Sequence, residues 1–115
     1  MNILITGAGG YIGRQLGERL ARTHNVIGVD VRAATDLSFA LHIMDIRDAA
    51  IGDLMKQHGI THVVHLAAVL EDSGDRARDY DIDVNGTRNV LEGCVAAGVQ
   101  HITVTLSLIH ISEPT

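Results

Sequence analysis

Residues 2–13 read NILITGAGGYIG, an apolar run that passes directly into a glycine-rich turn and then into a helix-forming stretch. Ile3, Leu4 and Ile5 offer no polar face, which suits a strand covered on both sides inside a parallel sheet. Glycines in the turn let the backbone come close to a ligand. The free N–H groups and positive dipole end of the following helix would then face negative charge, and a pyrophosphate is the group that uses both features.

The rest of the chain repeats the same alternation. Tyr11, Ile12, Leu16, Leu20 and Ala21 recur at helical spacing up to about Thr23, and NVIGVD over residues 25–30 reads as a second buried strand. A polar, alanine-rich connection leads to a third strand over residues 40–45. Asp48 is placed to cap a helix whose inner face is Ile51, Leu54, Met55 and His58, with Gly59 as its left-handed terminator before a strand over residues 61–66. A further helix, from about Arg76 to Gly98, is expected to bury Val84, Thr87, Leu91, Cys94 and Val95 and to hand over to a strand at residues 101–105. The most polar stretch, residues 70–79, reads as a loop at the carboxyl edge of the sheet. The expectation is an α/β fold: a Rossmann-type parallel sheet with helices on both faces, truncated after about five strands. An open edge on so small a sheet invites association.

Composition narrows the function. With 46% hydrophobic and 20% charged residues, the 115-residue chain is suited to a single folded core. Its net charge of -5 and nine scattered Lys and Arg residues argue against nucleic-acid binding. Cys94 is the only cysteine, the start lacks the pattern of a secretory signal, and no apolar run reaches the length of a membrane span. A soluble, cytoplasmic protein is therefore expected. The seven histidines fall singly on different elements without chelating spacing, so no metal is expected. His65 reads as a packed, hydrogen-bonded residue and Cys94 as a small core residue.

Asp30 ends the second strand 23 residues after Gly7, where a carboxylate can accept hydrogen bonds from ribose hydroxyls. That carboxylate would repel a 2′-phosphate and so favours NAD over NADP, with Arg32 nearby as the feature that pulls the other way.

TGAGGYIG, Asp30, Asp45-Ile46, His65-Leu66-Ala67-Ala68 and Asp83-Val84-Asn85-Gly86-Thr87 together resemble the extended short-chain dehydrogenase/reductase family, in its NAD-dependent epimerase/dehydratase branch. The resemblance covers residues 1–105 and implies a set of cofactor-binding residues. Gly7, Gly10 and Gly13 would form the phosphate turn, with the Tyr11 and Ile12 amides aimed at the pyrophosphate. Asp30 would hold the adenosine ribose, and Asp45 and Ile46 would flank the adenine; helix entry is the competing role for Asp45. Leu66, Ala67 and Ala68 match the stretch that lets the cofactor pass close to the strand end, and Asn85 matches an asparagine that orders that region. The implied activity is epimerase, dehydratase or reductase chemistry on a nucleotide sugar or related hydroxyl or carbonyl substrate, and the implied assembly is a homodimer.

The resemblance also implies a catalytic tyrosine with a lysine four residues later, and this chain has no such pair. Gln15 stands four residues after Tyr11, Val84 four after Tyr80, and the only lysine is Lys56. No catalytic residue is assigned, although Ser107 falls where the family places a serine or threonine after the fifth strand. Residues 106–115, LSLIHISEPT, read as the translation of a transposase-type sequencing adapter, CTG TCT CTT ATA CAC ATC TCC GAG CCC ACG. Residues 1–105 are accordingly expected to be the N-terminal part of a cofactor domain, and residues 106–115 a non-native tail. The alternative is a non-catalytic NAD(P)-binding sensor or regulatory module of the same fold.

Overall fold

The computed structural model of the chain describes residues 1–67 and 74–105. Five strands, β1 (Asn2–Thr6), β2 (Asn25–Asp30), β3 (Ala40–Ile43), β4 (His62–His65) and β5 (His101–Val104), form one sheet in the order β3-β2-β1-β4-β5. Every pairing is parallel; Ile3, for example, lies opposite Val26 on one side and His62 on the other. The order reverses direction at β1, so β2 and β4 flank it and their connections leave in opposite directions. That reversal opens a crevice above the carboxyl ends of the strands.

The period-two alternation of strand side chains divides β1 between two cores. Ile3 and Ile5 join Ala8, Val26 and Phe39 beneath helix α1 (Tyr11–Leu20). Leu4 instead joins Val29, Ile51, Met55, Val63 and Val90 on the opposite face, beneath α2 (Ala50–Gln57) and α4 (Thr87–Ala97). The expected α/β architecture with helices on both faces is thus present. Asp48 lies one residue ahead of the helix cap, Ala49, and accepts the Ala50 amide at 2.9 Å in the turn that leads into α2, and Gly59 and Gly98 both adopt left-handed backbone, with φ of 58° and 73°.

Two helical readings need correction. His58 lies exposed just past the end of α2, outside the buried face formed by Ile51, Leu54 and Met55. The helix expected from Arg76 is three consecutive pieces: α3 (Arg76–Tyr80), a π-helical segment (Asp81–Gly86) and α4. Val84, Leu91 and Val95 are exposed, and the buried positions are Gly86, Val90, Gly93 and Cys94. The π turn holds more residues than an α turn, so a 3.6-residue period drawn through it from Val84 arrives on the wrong face. Glycine also hides the true seam, because the buried stripe is partly made of residues without side chains. At Gly93 an added Cβ would lie 3.2 Å from the Cα of Gly52, so α2 and α4 meet backbone to backbone. Of the expected loop at 70–79, residues 70–73 lie outside the described residues. Its latter part is helical, with Asp75 capping α3 by accepting the Arg78 amide at 3.0 Å.

Candidate cofactor-binding site

An open groove of about 560 Å³ lies above the carboxyl ends of β1, β2 and β4. Its base is the turn after β1. Gly7 has φ of 69°, and a Cβ there would stand 2.9 Å from the Ala67 amide nitrogen, so only glycine lets β1 and the chain leaving β4 come this close. Gly9 and Gly10 continue the lining, and the first intrahelical bond of α1 runs from Arg14 N to Gly10 O at 2.9 Å. The amides of Tyr11 and Ile12 therefore head the helix without intrahelical acceptors, and both side chains project into solvent. Gly13 supports the turn from below; a Cβ there would meet the Gly7 carbonyl oxygen at 2.2 Å.

Asp30, at the end of β2, is tied to this turn. One carboxylate oxygen accepts the Gly9 amide at 2.9 Å and the other accepts the Arg32 amide at 3.1 Å. Each oxygen keeps further acceptor capacity, and Asp30 and Arg32 both line the groove.

The far wall is built by the segment after β3. Met44, Asp45 and Ile46 line the groove opposite Leu66 and Ala67. Asp45 is gripped by Arg47 through Nε to Oδ1 at 3.0 Å and Nη2 to Oδ2 at 2.7 Å, while Arg47 Nη1 reaches Asp81 at 2.7 Å. The Arg47 hydrogen bonds hold the Asp45 carboxyl below the usual carboxylate range. The Asn85 amide, 2.9 Å from Asp81 Oδ1, and then Arg47 do the same for Asp81. Asn89 of α4 donates to the carbonyls of Ile46 and Asp48, both at 2.7 Å, which fastens this wall to the helix.

Of the residues singled out from sequence, Gly7, Gly10, Asp30, Asp45, Ile46, Leu66 and Ala67 come together around the groove. Tyr11 and Ile12 stand at the helix head, Gly13 lies beneath the turn, and Asn85 sits beside the groove, bonded to Asp81. Ala68 and Ser107 lie outside the described residues. Sequence reasoning missed Gly9, Val29, Val31, Met44, Arg78 and Ile82, which also line the groove. Gly9 carried a legible signal, as the middle glycine of the turn. Arg78 and Ile82 carried none, because they belong to α3 and the π segment and reach the wall only through the tertiary fold.

Among the described residues no group of three or more His, Cys, Asp or Glu side chains comes together as a metal site. Burial pushes the Cys94 thiol up, which disfavours a reactive thiolate. No helix among the described residues is long and apolar enough to cross a membrane.

An open parallel sheet with a glycine turn, a helix head and a strand-end carboxylate around one switch-point crevice defines a Rossmann-type dinucleotide-binding fold. The model of the NAD dependent epimerase/dehydratase family matches residues 3–112, and the chain belongs to that family. It is 36% identical over 114 residues to L-arabinose 1-dehydrogenase (NAD(P)(+)) of Haloferax volcanii, covering 96% of this chain and 42% of that protein. It is 33% identical to the N-acetyl-alpha-D-glucosaminyl-diphospho-ditrans,octacis-undecaprenol 4-epimerase of Escherichia coli O157:H7, covering 93% of this chain and 32% of that one. Among solved structures, UDP-glucose-4-epimerase of Stenotrophomonas maltophila, with bound NAD and formylated UDP-arabinopyranose, superposes with a TM-score of 0.78 at 30% identity. That match covers 90% of this chain and 36% of the epimerase. The chain thus spans about a third to two fifths of the length of these relatives.

Proposed function

We propose that this chain is the NAD-binding, N-terminal part of an epimerase, dehydratase or reductase that acts on a nucleotide sugar or a related hydroxyl or carbonyl substrate. The observation that carries this reading is the Asp30 carboxylate, anchored to the Gly9 amide and facing the groove. The residues present fit the group: the glycine cradle would be filled by a Cβ at Gly7, the helix head offers free amides, and a carboxylate stands where a ribose would pass. Gly7, Gly9, Gly10 and the Tyr11 and Ile12 amides would hold the pyrophosphate, Asp30 the adenosine ribose, and Asp45 with Ile46 the adenine edge and face. Leu66 and Ala67 would floor the path toward the nicotinamide, with Ala68 next in the chain, and Asn85 would order the Asp45 wall through Asp81 and Arg47. When bound, NAD supplies a hydride acceptor; the chain's own residues bind and orient it.

NAD is preferred to NADP because a 2′-phosphate would approach the Asp30 carboxylate. Titration calorimetry with both nucleotides tests this: tighter NAD binding that weakens in Asp30→Ala supports it, and equal or tighter NADP binding assigns the site to Arg32 instead.

Catalysis belongs to a longer protein in this reading, since Lys56 and the two tyrosines of this chain make no tyrosine-lysine pair. Residues 106–115 are then foreign sequence, and the whole protein is cytoplasmic and homodimeric. The absent pair equally suits a sensor that binds dinucleotide without turnover. Sequencing the source DNA across the codons of Thr105 and Leu106, from a library made without the adapter, separates the two. A frame that runs on to tyrosine-x-x-x-lysine marks an enzyme, and a frame that runs on with other residues there marks a sensor.

A further inference from the structure

Beneath the groove floor lies a buried polar chain that cofactor contact does not require. Thr6 at the end of β1 and His65 at the end of β4 are 0% and 2% exposed, and among the described residues they alone are polar or charged side chains buried in the core. The Thr6 hydroxyl oxygen accepts the Ala67 amide at 3.1 Å and shares the Leu66 amide, also at 3.1 Å, with the Thr6 carbonyl oxygen. Two N–H groups thus point at the hydroxyl oxygen, one of them in a three-centre bond. Its single hydrogen therefore goes to His65 Nδ1, 2.6 Å away, which must accept it. A neutral imidazole then carries its hydrogen on Nε2, and Nε2 donates to the Thr87 hydroxyl of α4 at 2.9 Å. This direction suits the two amides that already point at the Thr6 oxygen, because the opposite tautomer would press an Nδ1–H against the same oxygen.

We infer that His65 is a positioning residue, locked as the neutral Nε2–H tautomer, that through Thr6 holds the Leu66 and Ala67 amides turned inward and so sets the floor of the groove. Only the consequence for cofactor affinity rests on the dinucleotide reading. The floor has little slack: Ala67 N is already as close to Gly7 as a missing Cβ permits, so displacing Ala67 alters the phosphate turn as well. A protonated ring would add a second N–H at Nδ1, aimed at a hydroxyl oxygen that two amides already approach. Burial likewise disfavours the charged ring, with the Asp83 carboxylate of the π segment acting in the opposite sense. Among the described residues, Thr6 from β1, Thr87 from α4 and Asp83 are the polar and charged groups that act on the imidazole.

The test uses the full 115-residue chain labelled with ¹⁵N. Two-bond ¹H–¹⁵N spectra of the imidazoles, recorded from pH 8 to 5, should show His65 as the Nε2–H tautomer; an Nδ1–H tautomer, or a ring protonated at neutral pH, overturns the inference. Thr6→Val, which keeps shape but loses the hydroxyl, should speed hydrogen exchange at Ala67, with less change at Leu66, whose amide keeps the residue 6 carbonyl, and weaken NAD binding about tenfold or more, as for loss of a buried acceptor. Thr6→Ser should restore both. Wild-type exchange at Ala67 in Thr6→Val overturns the positioning role. If the unaltered chain binds no NAD, the cofactor reading fails, while the tautomer and the exchange rates still decide the inference. Should Thr6→Val not fold, Thr87→Val, which removes only the far acceptor, takes its place: faster exchange at Leu66 and Ala67 supports the inference and unchanged exchange overturns it.

Discussion

Asp30 shows how one side chain can serve both fold and ligand. Its two oxygens accept the Gly9 and Arg32 amides, so the carboxylate that would meet a ribose also fixes the turn that would meet a pyrophosphate. Asp30→Ala should cost about 1–3 kcal/mol in NAD affinity, read by calorimetry, from loss of a charged hydrogen-bond partner. Glycines at two positions fail for different reasons. Gly13→Ala drives a Cβ into the Gly7 carbonyl and should destabilise by about 1–3 kcal/mol, as overpacking does. Gly98→Ala meets no atom within 4 Å, so its cost is the left-handed backbone alone, about 1–2 kcal/mol. Urea unfolding of the pair should agree on destabilisation, but only Gly13→Ala should also impair NAD binding. His65 makes stability depend on pH. Its folded pKa lies below the ordinary 6.5, so the unfolded chain takes up the proton first and stability falls as the pH drops below about 6.5. His65→Gln should flatten that part of the profile, measured by thermal unfolding between pH 7.5 and 5.

At the scale of elements, the β3–α2 connection and the long helical stretch act as one wall. Asn89 pins the backbone of Ile46 and Asp48, and Arg47 bridges Asp45 to Asp81. The two links differ in strength because they differ in exposure. Arg47→Ala breaks two solvated ion pairs, to Asp45 and Asp81, and should cost little, and less still at high salt. Asn89→Ala removes two short hydrogen bonds from a partly buried amide and should cost about 1–3 kcal/mol, with little salt dependence; denaturant unfolding at low and high salt compares them. The strands and α2 were legible because their burial follows simple periods: Leu4 and Val29 on one face, Ile51 with Leu54 and Met55 on one helix stripe. The inner face of α4 was not. Its stripe runs through glycines and starts at a π segment, so hydrophobicity pointed to Leu91 and Val95, which the fold leaves exposed.

For the whole molecule, binding and folding are linked. A ligand that occupies the groove contacts segments after β1, β2, β3 and β4 together, so it should stabilise the chain as a unit. NAD at about a hundred times its dissociation constant should add about 2.7 kcal/mol, seen as a concentration-dependent rise in Tm. The chain itself should show no turnover with NAD and a nucleotide sugar, whereas a longer frame carrying the tyrosine-lysine pair should. The sequence by itself determined the alternation of strands and helices, the glycine turn and the carboxylate at Asp30, because each is encoded within a few neighbouring residues. Only the tertiary structure decided that Arg78 and Ile82 reach the wall and which face of α4 is buried. It also brought Thr6, His65 and Thr87 into one hydrogen-bonded chain. The physical reason is distance along the chain: these contacts join residues 22 to 59 positions apart in the hydrogen-bonded chain alone, and no local pattern records them.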